Sequence, residues 1–177
     1  MAKTNFSGPV NSKTGFEANG SSVISAAGEF VGSLPEETVQ YAETSHTAAQ
    51  TRALRATPRE LVPAPGAGKY IEFLSAQLFL DYAGAAMTED SDNLAVKFDS
   101  GSGVAVSETI ETTDFIDQTA DTVTNAVNKK DTIVAASASV NKKLVLHNTG
   151  TGEFGSSGTP TSVLRVKVAY RVHTTDF

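Results

Sequence analysis

The C-terminal run SVLRVKVAYRVHTTDF alternates strictly between two kinds of side chain, and this alternation constrains the fold more than any other feature. Successive side chains of a β-strand point to opposite faces of its sheet, so a period of two predicts a strand with one buried face. The predicted core face carries Leu164, Val166, Val168, Tyr170 and Val172, and the other face carries Arg165, Lys167, Ala169, Arg171 and His173. We therefore expect a sheet with one side on the core and one basic side toward water or an acidic partner.

Other short runs also indicate strands separated by turn residues. They include KYIEFLSAQLFLDYAG, NLAVKFDSGSGVAV, SETIETTDF, DTIVAASASV and NKKLVLHNTG. Six or more short strands at fairly regular intervals predict an all-β fold, either a sandwich or a barrel. At most one short helix is expected, in DFIDQTADTVTNAVNKK, where Ile116, Ala120, Val123 and Val127 form one apolar stripe. Its threonines weaken helix propensity, so an irregular loop is the alternative there.

The stretch PAPGAGKY, residues 63–70, invites comparison with a phosphate-binding loop. Such a loop reads G-x-x-x-x-G-K-[ST] and opens a helix, whose N-terminus supplies free amides. Here Pro63 stands at the first glycine position, Tyr70 follows Lys69, and the next residues form a strand pattern. The stretch is therefore predicted to be a turn between two strands, with glycine supplying positive φ.

Charge and composition argue against several function classes. Fourteen lysines and arginines stand against 20 acidic residues, a net charge of −6, and no basic cluster exceeds a lysine pair. Nucleic-acid binding, which relies on neutralising phosphates, is therefore not expected. No apolar run approaches the ~20 residues of a membrane span, and no N-terminal signal pattern is present, so we expect a soluble chain made in a cytoplasm without a membrane partner.

No group of residues indicates catalysis, a cofactor or a metal. The chain has no Cys, its three histidines are isolated, and no G-x-S-x-G elbow is present, so the chain is not expected to be an enzyme. TEDSDN, residues 88–93, groups three acidic residues but lacks the glycine and distal glutamate of an EF-hand. We expect a solvated turn there, with weak calcium binding as the alternative.

Residues 1–48 differ from the strand-rich part, residues 49–177. Gly or Pro recurs every few residues near the N-terminus, and apolar residues are scattered without a period. Such a segment cannot bury enough apolar surface alone to offset the entropy of ordering it. Its aromatic residues still favour an extended arm that orders against a partner over a flexible tail. The expected anchors of this arm are Phe6, Phe16, Phe30 and Tyr41.

The part from Arg52 to the C-terminus resembles a known group of viral proteins. The runs LRATPRELVPAPGAGKYIEFLSAQLFLDYAG, SDNLAVKF, FIDQTADT and LVLHNTGTGEF are similar to those of small tailed-bacteriophage virion proteins, among them the capsid cement, or decoration, proteins. The resemblance implies a jelly-roll-like β domain that forms trimers. It also implies a structural role on the capsid exterior, where the protein would cement neighbouring capsomers of the major capsid protein at three-fold and quasi-three-fold positions.

In that role, two groups of cations are candidate contacts to the capsid or to a sister subunit. They are Arg52, Arg55 and Arg59 before the strands, and Arg165, Lys167 and Arg171 on the final strand. Deleting residues 1–48 is expected to abolish shell attachment while the domain stays folded. The alternative function is a receptor- or carbohydrate-binding module of a tail or head fibre, although Trp is absent and aromatic residues make up only 7% of the chain.

Overall fold

The computed structural model describes residues 16–18, 21–24 and 38–176. Short strands joined by turns make up most of this part of the chain, and neither of its two helices has the length and apolarity needed to cross a bilayer. The strands are β1 (Phe16–Ala18), β2 (Ser21–Ile24), β3 (Gln40–Thr47), β4 (Arg59–Val62), β5 (Lys69–Asp81), β6 (Met87–Thr88), β7 (Leu94–Phe98), β8 (Thr122–Val127), β9 (Leu144–Asn148), β10 (Gly155–Ser156) and β11 (Val163–Thr174). The helices are α1 (Ala48–Arg52) and α2 (Ala136–Ser139).

Two antiparallel sheets form a β-sandwich. The larger has the strand order β3-β11-β5-β8 and the smaller has the order β4-β9-β7. One apolar core joins them, with contributions from both sheets: Leu78, Leu80, Leu164, Val166 and Val168 from the larger, and Val96, Phe98, Leu144 and Leu146 from the smaller. Two sheets that share one core are the definition of a sandwich, which confirms the all-β prediction. Two further pairs of strands, β6 with β10 and β1 with β2, lie outside these sheets.

The final strand, β11, lies in the middle of the larger sheet and pairs with β3 on one side and β5 on the other. Leu164, Val166 and Val168 are at most 2% exposed, as the alternation predicted. The register with β5 shifts between Ala169 and Tyr170, because Leu74 of β5 is an extra residue without a partner. A bulge of this kind disturbs the alternation of faces. From Tyr170 to Thr174 every residue is half-buried.

The sheet begins earlier in the chain than the predicted domain boundary. β3 lies inside residues 1–48, the predicted arm, yet it pairs with β11 over eight residues. The compact unit that holds both sheets begins at Glu36. Helix α1 follows directly, with Thr47 as its N-cap in a reciprocal capping box with Gln50. Tyr41 is therefore a sheet residue.

The helix predicted in residues 114–130 is wrong, whereas the irregular loop that was its alternative is present up to residue 121. Residues 122–127 of that run form β8, an edge strand that pairs with β5. Ile116 is fully buried, whereas Val123 and Val127 point away from the core. The apolar stripe was a coincidence of spacing, because the β-branched Thr122, Val123 and Thr124 favour a strand wherever a neighbouring strand is free to pair. Among the described residues, two helices of one turn lie at other positions, where at most one was predicted.

The PAPGAGKY stretch turns the chain between β4 and β5, as predicted. Gly66 and Gly68 have φ values of 101° and 69°, which side chains with a Cβ rarely adopt. The backbone amide of Lys69 donates to the carbonyl of Gly66, and the next residues continue as β5 instead of a helix. The geometry is that of a tight turn.

Candidate partner-binding surface

The larger sheet has one face on the core and one that points away from it, which we call the outer sheet face. Cross-strand pairing arranges its side chains in three rows of four. The rows are Tyr41, Ala169, Ser75 and Val127; then Glu43, Lys167, Gln77 and Asn125; then Ser45, Arg165, Phe79 and Val123. Every one of these residues is exposed or half-buried.

Large apolar side chains are exposed on this face. Of the four such side chains among the described residues, three belong to it: Tyr41 is 64% exposed, Val123 is 51% and Val127 is 57%. The fourth, Ile133, lies in a loop and is 98% exposed. Single exposed apolar residues are ordinary on protein surfaces, and their grouping on one sheet face makes this face the candidate contact surface.

The cations on this face are paired within the sheet. Lys167 lies 2.7 Å from Glu43, and Arg165 lies 2.6 Å from Asp81 at the end of β5. The pairing lowers the pKa of Glu43 and raises that of Lys167. The ammonium of Lys167 also lies 5.4 Å from the centre of the Tyr41 ring. The face therefore carries little unpaired charge, and the predicted basic character of the final strand is largely neutralised.

Arg171, the third cation of that strand, lies past the bulge. Its guanidinium is 3.5 Å from Glu72, whose carboxylate is also 3.0 Å from His173. The two acids that pair with the arginines of β11, Glu72 and Asp81, both belong to β5. Sequence spacing alone does not show that β5 and β11 are neighbouring strands. The three cations of the final strand thus do not form one open basic surface.

Small side chains leave two shallow depressions on the outer sheet face. One, of about 370 Å³, lies among Tyr41, Ser75, Val127 and Ala169; the other, of about 220 Å³, lies beside Phe79 and Arg165. Neither encloses a catalytic cluster. Depressions of this size beside exposed apolar residues suit side chains of a partner surface.

The three early arginines do not share one patch. Arg52 donates from Nε to the carbonyl of Phe154, 3.1 Å away, and so fastens α1 to the loop before β10. Arg55 is exposed and donates to the carbonyl of Gly150. Arg59, the first residue of β4, is half-buried. Of the predicted arm anchors, Phe6 and Phe30 lie outside the described residues, and Phe16 is described only as the first residue of β1.

The acidic loop is a solvated turn at Asp90 and Ser91, as expected, but Asp92 is built into the structure. Asp92 is 2% exposed, and its carboxylate accepts from the backbone amide of Thr151 at 2.7 Å. Glu89 accepts from the Ser91 amide at 2.7 Å and from the Thr113 hydroxyl. Within the described residues, no group of three His, Cys, Asp or Glu side chains could hold a metal ion.

Sequence reasoning missed Phe79, Val123 and Val127 as surface residues. Phe79 belongs to a run with apolar residues at both odd and even positions, so the pattern did not show which strand face it occupies. The two valines were assigned to a helix. The signal was present in the strand propensity of Thr122–Val127.

Comparison with known proteins gives little further information. No protein-family model matches the chain, and no curated protein matches it. Among solved structures, the chain aligns with one of a semi-empty virus-like particle of the giant freshwater prawn Macrobrachium rosenbergii nodavirus. That alignment covers 77% of this chain and 94% of the other, with 8% identity and a TM-score of 0.30. A TM-score of this size does not establish a common fold.

Proposed function

We propose that this chain is a structural virion protein that binds the outside of a tailed-bacteriophage capsid and cements neighbouring capsomers of the major capsid protein. In this proposal it acts as a homotrimer at three-fold and quasi-three-fold positions. It is not an enzyme, needs no cofactor or metal, and binds neither nucleic acid nor membrane. The resemblance of residues 52–177 to cement proteins supports the proposal, and the β-sandwich is the kind of domain that the resemblance implies.

The observation that carries the proposal is the outer sheet face. It is an open surface of three side-chain rows, with apolar residues in both outer rows and with both of its cations, Lys167 in the middle row and Arg165 in an outer row, paired with acids. Binding energy in protein contacts comes mainly from apolar and aromatic groups that lose water on contact, whereas exposed ion pairs add little. A face with this distribution suits a broad protein surface better than a small molecule.

The predicted arm adds a second contact in this proposal. The chain before β3 carries Phe6, Phe16 and Phe30, and it enters the sandwich at the edge of the larger sheet, beside Tyr41. A segment that orders on binding can cover a large area on a capsid or a sister subunit. Many copies on one shell would then stabilise it collectively, since each capsomer is held at several points.

Cryo-electron microscopy of the purified virion that contains this chain tests the proposal. We expect density for the sandwich at the three-fold and quasi-three-fold positions, with Tyr41, Val123 and Val127 in contact with capsid protein or with a sister subunit. Density confined to the tail or to a fibre tip would overturn the cement role. It would favour the alternative of a receptor- or carbohydrate-binding module.

A further inference from the structure

An open cleft lies on the other side of the molecule, on the solvent side of the smaller sheet. Its volume is about 760 Å³, and we call it the basic cleft because Arg55, Lys97 and His147 line it. Lys97 of β7 and His147 of β9 share one sheet face, since the pairing sets Ala95 opposite His147 and Lys97 opposite Val145. Residues 99–103 and 149–153 form its rims, and Arg55 reaches it from the turn before β4.

The cleft holds its imidazole tightly. His147 is only 7% exposed because the backbone of Gly101 packs against the ring. A Cβ on Gly101 would lie 2.5 Å from Nε2 of His147, so only glycine permits this contact. Nδ1 of the same ring is buried without a hydrogen bond of normal geometry in the described part of the chain, although the backbone of Arg55 lies close enough to oppose the lowering of the pKa of His147. A buried polar atom without a partner is rare and needs a physical reason.

The positive groups of the cleft are held in place but not neutralised. Lys97 donates from Nζ to the carbonyl of Gly101 at 2.6 Å, and Arg55 donates to the carbonyl of Gly150. Carbonyl groups fix these cations without cancelling their charge. Within residues 38–176, neither Lys97 nor Arg55 has a carboxylate within ion-pair distance.

The one acid that lines the cleft is Glu153, and buried Asp92 lies behind the 149–153 rim, where it accepts from the Thr151 amide. Amide donors hold Glu153 in place without cancelling its charge. Glu153 accepts from the backbone amides of Arg55 and Ala56, at 3.0 and 2.8 Å. Its two oxygens therefore fasten the turn before β4 to the opposite rim. Burial, followed by the charges of Lys97 and Arg55, lowers the pKa of His147, and the Arg55 backbone and the charge of Glu153 oppose this only in part.

The cations also repel one another. Burial and the charge of Arg55 lower the pKa of Lys97. Mutual repulsion of this kind is relieved when an anion enters, because a negative charge stabilises all of the neighbouring cations at once. Arg55, Lys97 and His147 are far apart in the sequence, so sequence analysis could not predict that the fold brings them together.

We propose that the basic cleft is a binding site for an oxyanion of the phosphate or carboxylate class, held by Arg55 and Lys97 beside the buried ring of His147. The guanidinium and the ammonium keep free N–H groups beyond those given to the rim carbonyls, and charge-assisted hydrogen bonds to oxyanions are the strong ones. The hydroxyl of Thr151 on the rim adds a neutral donor. The cleft volume of about 760 Å³ is larger than that of a single inorganic anion. We therefore infer that the oxyanion is part of a larger molecule or of a partner's side chain.

Titration of the full-length protein with sodium sulfate, followed by ¹H–¹⁵N NMR, tests this site. Sulfate is the probe because it does not titrate near neutral pH, and sodium chloride at equal ionic strength is the reference. We expect saturable shifts of the backbone amides of Gly101, His147 and Thr151 that chloride does not produce. K97Q and R55Q should each weaken sulfate binding about tenfold, as the loss of one charge-assisted contact implies.

The matched control is K130Q, which removes the same charge from an exposed lysine outside the cleft. K130Q should bind sulfate like the wild type. Equal sulfate affinity in the wild type, K97Q and R55Q, or shifts that chloride reproduces, would overturn the site. Because two cleft variants are used, a folding defect in one does not decide the result.

A second titration identifies the source of the oxyanion. Acetate and glutarate that bind more tightly than sulfate would support a carboxylate ligand, and tighter binding of sulfate or of a phosphate monoester would support a phosphate ligand. The site is measured on the isolated protein. Its failure therefore leaves the proposed capsid role untouched, and a failure of the capsid role leaves the anion site standing.

Discussion

At the residue scale, two buried histidines make the stability of the sandwich depend on pH. His46 on β3 is 5% exposed, and its Nε2 lies 3.1 Å from the hydroxyl of Thr44. Burial, followed by the charge of Arg59, lowers the pKa of His46 below its ordinary value of 6.5. Burial, followed by the charges of Lys97 and Arg55, also lowers the pKa of His147. The folded state therefore binds these protons less readily than the unfolded state.

The sign of the effect follows from proton linkage. Below pH 6.5 the histidines of the unfolded chain bind more protons than the same histidines in the folded chain. The free energy of unfolding therefore falls as the pH falls. We expect this loss to begin as the pH falls through about 6.5 and to continue down to the lowered pKa values of the folded state, with a slope of at most ~1.4 kcal/mol per pH unit for each histidine. Urea denaturation across this range, in buffers without oxyanions, measures it.

The substitution H46Q removes one of the two groups and keeps a polar side chain near Thr44. The dependence on pH should become shallower in H46Q and shallower again in H46Q/H147Q. Parallel curves for the wild type and both variants would show that other groups cause the pH dependence.

At the element scale, β3 decides what a truncation of the N-terminus does. Deleting residues 1–48 removes an edge strand with eight pairs to β11, together with buried His46 and Ala48. It also removes Thr47, the N-cap of α1. We expect a loss of about 3 kcal/mol or more, which for a domain of this size lowers Tm by roughly 10 °C. The sequence-based expectation that this deletion leaves the domain folded is replaced by this prediction.

Deletion of residues 1–37 is the matched truncation, since it spares β3 and every residue of the shared core. Its Tm should lie within a few degrees of the full chain. Differential scanning calorimetry of both truncations compares them directly. Equal melting temperatures for the two would mean that β3 contributes little to stability. If the longer deletion is destabilised as expected, only the shorter deletion can test whether the arm binds capsid.

The same elements show what the sequence could predict. The alternation in β11 and the turn glycines in PAPGAGKY are local signals, and the structure confirms the turn and the alternation as far as Val168, but not for Tyr170 and Val172. The bulge beside Tyr170 depends on an extra residue in β5, which no inspection of β11 alone can find. β8 was mistaken for a helix because a short run can match both periods, and pairing with β5 decides between them. The Thr47–Gln50 capping box, by contrast, was a readable signal for α1.

At the scale of the whole molecule, strand order creates both candidate sites. The outer sheet face needs β3, β11, β5 and β8 to lie side by side, although they are far apart in the chain. The basic cleft likewise needs β7 beside β9 and the rims folded over them. Residue types were predictable at these positions, but their grouping was not, because sheet order depends on contacts across the entire chain.

Strand order also changes the expected physics of attachment. A basic strand suggested contacts with acidic capsid, but Arg165 and Lys167 are already paired with Asp81 and Glu43. Exposed cations that are free to bind a partner make affinity fall steeply with salt, because ions screen the attraction. Apolar contacts do not weaken in this way. The proposed outer sheet face therefore predicts attachment that is nearly independent of salt.

Two variants test whether the outer sheet face, and not another exposed part of the molecule, binds the capsid. V127D places a charge among the apolar residues of the outer sheet face, whereas I133D places the same charge on the fully exposed loop residue. Both positions are exposed, so neither change should alter stability by more than about 1 kcal/mol. In co-sedimentation with capsid shells that lack this protein, V127D should bind about tenfold more weakly and I133D like the wild type.

The comparison is made at low and at high sodium chloride. Wild-type binding that persists at high salt, with the defect confined to V127D, is the expected result, because desolvation of apolar side chains supplies the affinity. Binding that disappears at high salt and is unaffected by V127D would show that attachment is electrostatic. The contact would then lie elsewhere on the molecule, since the cations of the outer sheet face are paired within their own sheet.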